Sequence, residues 1–163
     1  MVFEHCNCSF LIDKPQTLIK QLNCGVSKNI KRRSFSIEFM LAEDVNEFGI
    51  NMKIQLPRKG QSEFVLLDLK NIEGCKILSN KNQATLVQLG RSTLDRFSNI
   101  PHSCPFKKNV LYYIRNFRVD MNNLRIFNFE AEMQVLYDFM LNNKKVFKGF
   151  IQGRMYNKLK NKN

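Results

Sequence analysis

Alternation of apolar and polar residues runs through most of the chain, and a period of two is the signature of β-strands with one buried face. The segments that show it, or that form short apolar runs suited to strands, are residues 35–41, 50–56, 64–69, 110–119, 127–137 and 146–156. The run 64–69 is apolar on both faces, which favours a central strand. Charged and glycine-containing stretches separate the segments, so the pattern predicts antiparallel strands joined by turns.

One segment follows a different period. Residues 82–97 place apolar side chains at spacings of three and four, which predicts a helix with one buried stripe. Asn82 is suited to cap its start, and Ile100-Pro101 follows its end. Further along, Asn142-Asn143 predicts a hairpin turn, and Gly149 and Gly153 indicate a bulge or a close backbone approach within the last strand.

The predicted fold is therefore mainly β: an antiparallel β-sandwich or cup of about six or seven strands with one helix near residues 82–97. We expect a single domain over residues 1–163, with its core at about 8–157 and a basic tail at 158–163. Periodicity does not decide whether the interior is a solid core or a ligand cavity.

Composition narrows the class of protein. The chain has 163 residues, of which 44% are hydrophobic, and no apolar run approaches the ~20 residues of a membrane-spanning helix. The net charge of +12 favours anionic partners such as lipid headgroups or nucleic acid. We expect no nucleic-acid partner, because the aromatic residues alternate with polar ones in a way that buries them, whereas single-strand binders expose them.

Candidate catalytic and metal-binding residues are few. The chain contains only two histidines, His5 and His102. The neighbours His102-Ser103-Cys104 point apart in an extended or turn segment, so they do not form a nucleophile–base pair. Cys6 and Cys8 next to His5 lack the further ligands that a tetrahedral zinc site needs. We therefore expect no enzyme activity, no cofactor and no metal.

Five cysteines, Cys6, Cys8, Cys24, Cys75 and Cys104, are compatible with reduced thiols or with two disulfides and one unpaired residue. Asn7-Cys8-Ser9 is an acceptor sequence for N-glycosylation, so Asn7 is a candidate glycosylation site in a secreted protein. The first residues have neither the basic region nor the apolar region of a signal peptide. The residues alone leave the compartment open.

The stretch from Ser98 to Phe106, SNIPHSCPF, is distinctive, and it is followed by YYIRNF at 112–117 and preceded by GCKIL at 74–78. Together these segments resemble an insect family of small secreted proteins of unknown function that includes the chemosensory B proteins. That family is similar to the ganglioside-activator and lipid-recognition β-sandwiches. The resemblance covers about residues 8–157; Gly74 departs from it, since a larger residue is more usual there.

The resemblance implies secretion and disulfides, with matching cysteines at Cys8 (or Cys6), Cys24, Cys75 and Cys104. We expect Cys75 to pair with Cys104, which flank the predicted helix, and Cys24 to pair with Cys8 or else Cys6. Crossed pairings stay open, because four cysteines permit three connectivities.

The resemblance also implies a binding module for a lipid or another hydrophobic small molecule, with a role in chemosensory or pheromone perception. Basic residues at the mouth would suit an anionic headgroup or an anionic membrane surface. The candidate wall residues are Phe39, Met52, Ile54, Phe129, Met133 and Phe150. The alternative is an extracellular module with a solid core that binds a protein receptor.

Overall fold

The structure is a computed structural model that describes residues 1–29, 33–79, 85–119 and 130–156. The described residues form eight strands: β1 (Val2–Phe10), β2 (Ile19–Val26), β3 (Phe35–Leu41), β4 (Gly49–Leu56), β5 (Phe64–Glu73), β6 (Leu111–Phe117), β7 (Ala131–Leu141) and β8 (Lys144–Met155). Two short helices, α1 (Gly74–Ser79) and α2 (Thr85–Leu94), connect β5 to β6. The mainly β fold is confirmed, with β1, β2 and α1 as elements that the periodicity did not predict.

Helix α2 lies inside the predicted range of 82–97, and a turn follows it at residues 95–97. The expected cap, Asn82, falls outside the described residues. Arg91 of α2 donates hydrogen bonds to the carbonyl oxygens of Ile77 and Leu78, at 3.3 and 2.7 Å. These carbonyls belong to the last turn of α1, where backbone acceptors lack helical partners, so Arg91 joins the two helices.

The strands form two antiparallel sheets. The larger sheet has the order β1-β8-β7-β4-β5, and the smaller has the order β2-β3-β6. Strands β7 and β8 are joined at Asn142-Asn143, whose φ angles of 49° and 59° confirm the predicted hairpin turn. Because five strands face three, the inner face of the larger sheet is wider than the sheet that packs on it.

Two clusters of buried side chains hold the sheets together. In the first cluster, the rings of Phe139 and Phe147 in the larger sheet stack with their centroids 5.0 Å apart. The ring centroid of Phe39 in the smaller sheet lies 6.3 Å from that of Phe139. In the second, Phe3 contacts Phe35 edge to face at 4.7 Å. Burying each such ring is worth about 1.5–3 kcal/mol, so these contacts across the sheets are a main source of stability.

Two disulfides join the elements. Cys8–Cys24 links β1 of the larger sheet to β2 of the smaller one, with Cα atoms 6.0 Å apart. Cys75–Cys104 links α1 to the segment before β6, with Cα atoms 5.5 Å apart. Both expected pairings are confirmed, and Cys6 is the free cysteine. Disulfides form and persist in oxidising compartments, so they indicate an extracellular type of environment.

Candidate functional site

The inner face of the larger sheet is built from rows of residues that are paired across neighbouring strands. In one row Leu69 pairs with Met52, Met52 pairs with Tyr137, and Tyr137 pairs with Gly149. Directly paired residues on antiparallel strands point to the same face. Phe139, two residues from Tyr137 on β7, contacts Phe39 of the smaller sheet. This row therefore faces the inside of the sandwich.

Part of this inner face lies outside the packed core. Five apolar residues there are only half-buried, and in the described part of the chain neither core cluster includes them. They are Met52, Ile54, Leu67, Leu69 and Met133, and we call them the inner strip. The inner strip lies on β4, β5 and β7, on the side of the sheet away from the β1–β2 disulfide. None of its side chains is polar or charged, so it suits an apolar ligand.

Three of the six candidate wall residues, Met52, Ile54 and Met133, belong to the inner strip. Phe39 lies on the smaller sheet, where it is buried and packs against Phe106 and Tyr112 at 6.0 and 5.6 Å. Its place is the first core cluster rather than the strip. Phe129 lies outside the described residues.

Phe150 is not on the same face as the other candidates. It pairs with Leu136 on one side and with Asn7 on the other, while its neighbour Ile151 is buried in the second core cluster. Alternation therefore turns Phe150 to the outer face. Glycines at the inward positions 149 and 153 hide the true alternation of β8, which is why the sequence pattern placed Phe150 wrongly.

Strand β5 is another difference from expectation. Its apolar run favoured a central strand, yet β5 is the last strand of the larger sheet as described. Leu67 and Leu69 nevertheless face inward beside Ile54 and Met52, and they are site residues that the sequence analysis missed. The run itself was the available signal, because residues 67 and 69, two positions apart in a strand, point to the same face.

Tyr137 is the polar residue of the inner row. Its hydroxyl oxygen is buried and has no hydrogen-bond partner among the residues that the structure describes. A Cβ placed on Gly149 would lie 2.0 Å from Tyr137 Cζ and 2.1 Å from Oη, so the ring lies directly over this glycine. Here the expected close approach at Gly149 is confirmed. Burial, with a smaller effect from Cys6, raises the pKa of Tyr137 well above its ordinary value, so the phenol stays protonated.

Two surface depressions lie beside outward-facing polar residues of the two sheets. One, of about 530 Å³, is lined by residues of β4, β5, β7 and β8, among them Lys53, Asp68 and Asp138. The other, of about 310 Å³, lies along β2 beside Cys24 and Glu38. Both are open and partly polar. Any apolar ligand is therefore better suited to the inner strip than to either depression.

The polar groups considered for catalysis are dispersed. His102 is exposed; its Nδ1 lies 2.8 Å from Arg91 Nη2 and its Nε2 lies 3.9 Å from Asp95. Cys104 is in a disulfide, so its sulfur is not a free thiol. Among residues 1–29, 33–79, 85–119 and 130–156, no three His, Cys, Asp or Glu side chains are grouped to hold a metal ion. Across those ranges no helix has the length and apolarity to span a membrane.

Comparison with known proteins gives a family match over the part of the chain that contains the inner strip. No curated protein matches the chain significantly. A family model described as "Protein of unknown function (DUF1091)" matches residues 50–135. The match spans more than half of the chain and covers all of β4 but its first residue, β5, both helices and β6, and all five inner-strip residues lie within it. The chain therefore belongs to the family of proteins of unknown function designated DUF1091.

Proposed function

We propose that the protein is a secreted, non-enzymatic module that binds an apolar or lipid-like ligand against the inner strip. The observation that carries the proposal is the set of five half-buried apolar side chains on the inner face, which the narrower opposing sheet leaves outside both core clusters. Covering such a surface with hydrocarbon is favourable by about 0.8 kcal/mol for each buried methylene group.

The sequence resemblance supports the same proposal. The chemosensory B proteins and the ganglioside-activator and lipid-recognition sandwiches, which the cysteine-containing segments resemble, suggest a lipid or a hydrophobic signal molecule in chemosensory or pheromone perception. The net charge of +12 adds attraction to an anionic headgroup or membrane surface.

Ligand binding is testable with a fluorescent apolar probe. We expect N-phenylnaphthylamine to bind the refolded, disulfide-bonded protein and a lipid extract to displace it. The substitution Met52→Gln nearly preserves side-chain size but places an amide in the strip, so it should weaken probe binding by about tenfold, or about 1.4 kcal/mol.

Leu136→Gln is the matched control, since Leu136 lies on the outer face of the neighbouring strand and is 38% exposed. It should leave probe affinity unchanged. Equal effects of the two substitutions, or no probe binding to the folded protein, would contradict a ligand site on the inner strip.

A protein–protein interaction module is the second candidate. Phe64 and Val65, at the start of β5, are 46% and 43% exposed, and β5 is an edge strand of the larger sheet as described. Exposed apolar side chains on a strand edge suit pairing with a strand of another protein. Under this alternative Phe64→Ser with Val65→Ser should abolish partner binding, and the folded protein should bind no apolar probe.

Secretion and glycosylation form a separate part of the proposal. The two disulfides support an oxidising compartment, and Asn7 is exposed on the outer face of β1. Expression behind a secretory leader in a eukaryotic host should give protein whose mass falls after glycosidase treatment. Asn7→Gln should remove that change in mass, and an unmodified wild-type protein would exclude Asn7 as a glycan site.

A further inference from the structure

The inner row leads from the strip to a polar group. Leu69, Met52, Tyr137 and Gly149 lie side by side on β5, β4, β7 and β8. Adjacent strands are about 4.8 Å apart, so the row is about 14 Å long. A hydrocarbon chain that lies on Leu69 and Met52 and follows this row meets the ring of Tyr137, which extends over Gly149 and packs against both core clusters.

The hydroxyl at the inner end of this row lacks a partner. Within the described part of the chain, Tyr137 Oη has no hydrogen-bond donor or acceptor, and it has no contact with solvent, although buried hydroxyl groups are normally paired. By contrast, the hydroxyl of Tyr112, which is also in the core, accepts a hydrogen bond from the backbone N–H of Lys107 at 2.7 Å. Tyr137 therefore differs from a tyrosine whose polar end is satisfied by the fold itself.

The surroundings of Tyr137 specify the kind of acceptor that would suit it. The residues paired with it, Met52 and Gly149, are uncharged, and Cys6 has its pKa raised to about 11 by burial, so its thiol is neutral. A carboxylate placed beside these groups would be buried without a cation, which is costly. A carbonyl, ester or ether oxygen would accept a hydrogen bond without that cost.

We propose that Tyr137 Oη donates a hydrogen bond to an uncharged oxygen of the bound ligand, so that the protein selects a long-chain ketone, ester or ether over a plain hydrocarbon or a fatty-acid anion. This inference rests on the proposed binding of an apolar ligand at the inner strip. It adds a specificity-determining residue and a chemical class of ligand to that proposal.

The test is displacement of N-phenylnaphthylamine from the full chain by dodecane, a dodecanone and dodecanoate. The wild-type protein should bind the ketone about tenfold more tightly than the alkane, in the range of one net hydrogen bond, and more tightly than the anion. Tyr137→Phe keeps the ring over Gly149, so it should bind the alkane normally and lose the preference for the ketone. Tyr112→Phe removes a hydroxyl that is already paired and should keep the preference.

The outcomes separate the two proposals. A wild-type protein that binds alkane and ketone equally well, or a Tyr137→Phe variant that still prefers the ketone, overturns the role of Tyr137 and leaves the apolar site standing. A folded protein that binds none of the three compounds overturns the proposed function itself. Should Tyr137→Phe not fold, the infrared carbonyl band of the ketone bound to wild-type protein decides: a shift to lower frequency supports the hydrogen bond, and an unshifted band refutes it.

Discussion

The Cys75–Cys104 disulfide should contribute a large share of the stability of this fold. It closes a loop with a sequence separation of 29 that contains α2 and all of α1 but its first residue, whereas Cys8–Cys24 closes a loop with a separation of 16. The loss of chain entropy in the unfolded state corresponds to about 3.6 kcal/mol for the longer loop and about 3.1 kcal/mol for the shorter one. Replacing Cys75 and Cys104 with alanine should therefore lower the free energy of unfolding by about 3.6 kcal/mol or slightly more, because both residues also pack against the first core cluster.

Urea denaturation under non-reducing conditions, followed by circular dichroism, measures this loss. All variants should carry Cys6→Ser, because the free thiol of Cys6 can exchange with a neighbouring disulfide. The paired replacement of Cys8 and Cys24 with alanine is the matched comparison. A loss below about 1 kcal/mol for the longer loop would refute the chain-entropy reasoning, since most of the expected effect would then be missing.

Three further predictions concern single residues. Gly149→Ala should destabilise the fold by roughly 1–3 kcal/mol, because its Cβ would lie 2.0 Å from the Tyr137 ring, whereas Gly25→Ala, with nothing within 4 Å, should change the urea midpoint little. The pKa of Asp44 is lowered by hydrogen bonds from the backbone N–H of Lys108 and from Lys107, so its carboxylate stabilises the fold above the pKa of the unfolded chain. That contribution is lost as pH falls through the folded pKa, and Asp44→Asn should therefore show a smaller loss of stability between neutral and acidic pH in urea titrations. Burial raises the pKa of Cys6 to about 11, so at neutral pH iodoacetamide should react more slowly with the Cys6 thiol of the folded protein than with the thiol of free glutathione. Unfolding in urea should remove this difference in rate, and equal rates in the folded state would contradict the prediction.

Alternation in the sequence predicted the strands that follow a regular period. In β3 the side chains of Phe35, Ile37, Phe39 and Leu41 are buried and the residues between them are not, as the pattern indicated. Strand β1 was missed because its register shifts between Phe3 and His5. A bulge of this kind adds a residue between inward positions, so a search for period two finds no regular run.

The same effect hid β2, whose register shifts between Ile19 and Gln21. The candidate site was predictable only in part, because some of its residues depend on strand pairing rather than on alternation within one strand. Met52, Ile54 and Met133 lie on regular stretches, and their shared inward face could be inferred from local pattern. The contribution of Leu67 and Leu69, and the position of Tyr137 over Gly149, depend on which strands pair, and alternation within one strand does not specify its neighbours.

The pairing of β1 with β8 has a consequence for how the protein is made. Val2–Phe10 is translated before the other described strands, yet its hydrogen-bonding partner in the larger sheet, Lys144–Met155, is translated last among them. Contacts between segments so far apart in sequence form slowly, and unpaired apolar strands are prone to aggregation in the meantime. The larger sheet is therefore completed only after nearly all of the described chain has been synthesised, so we expect β1 to depend on chaperones until β8 arrives.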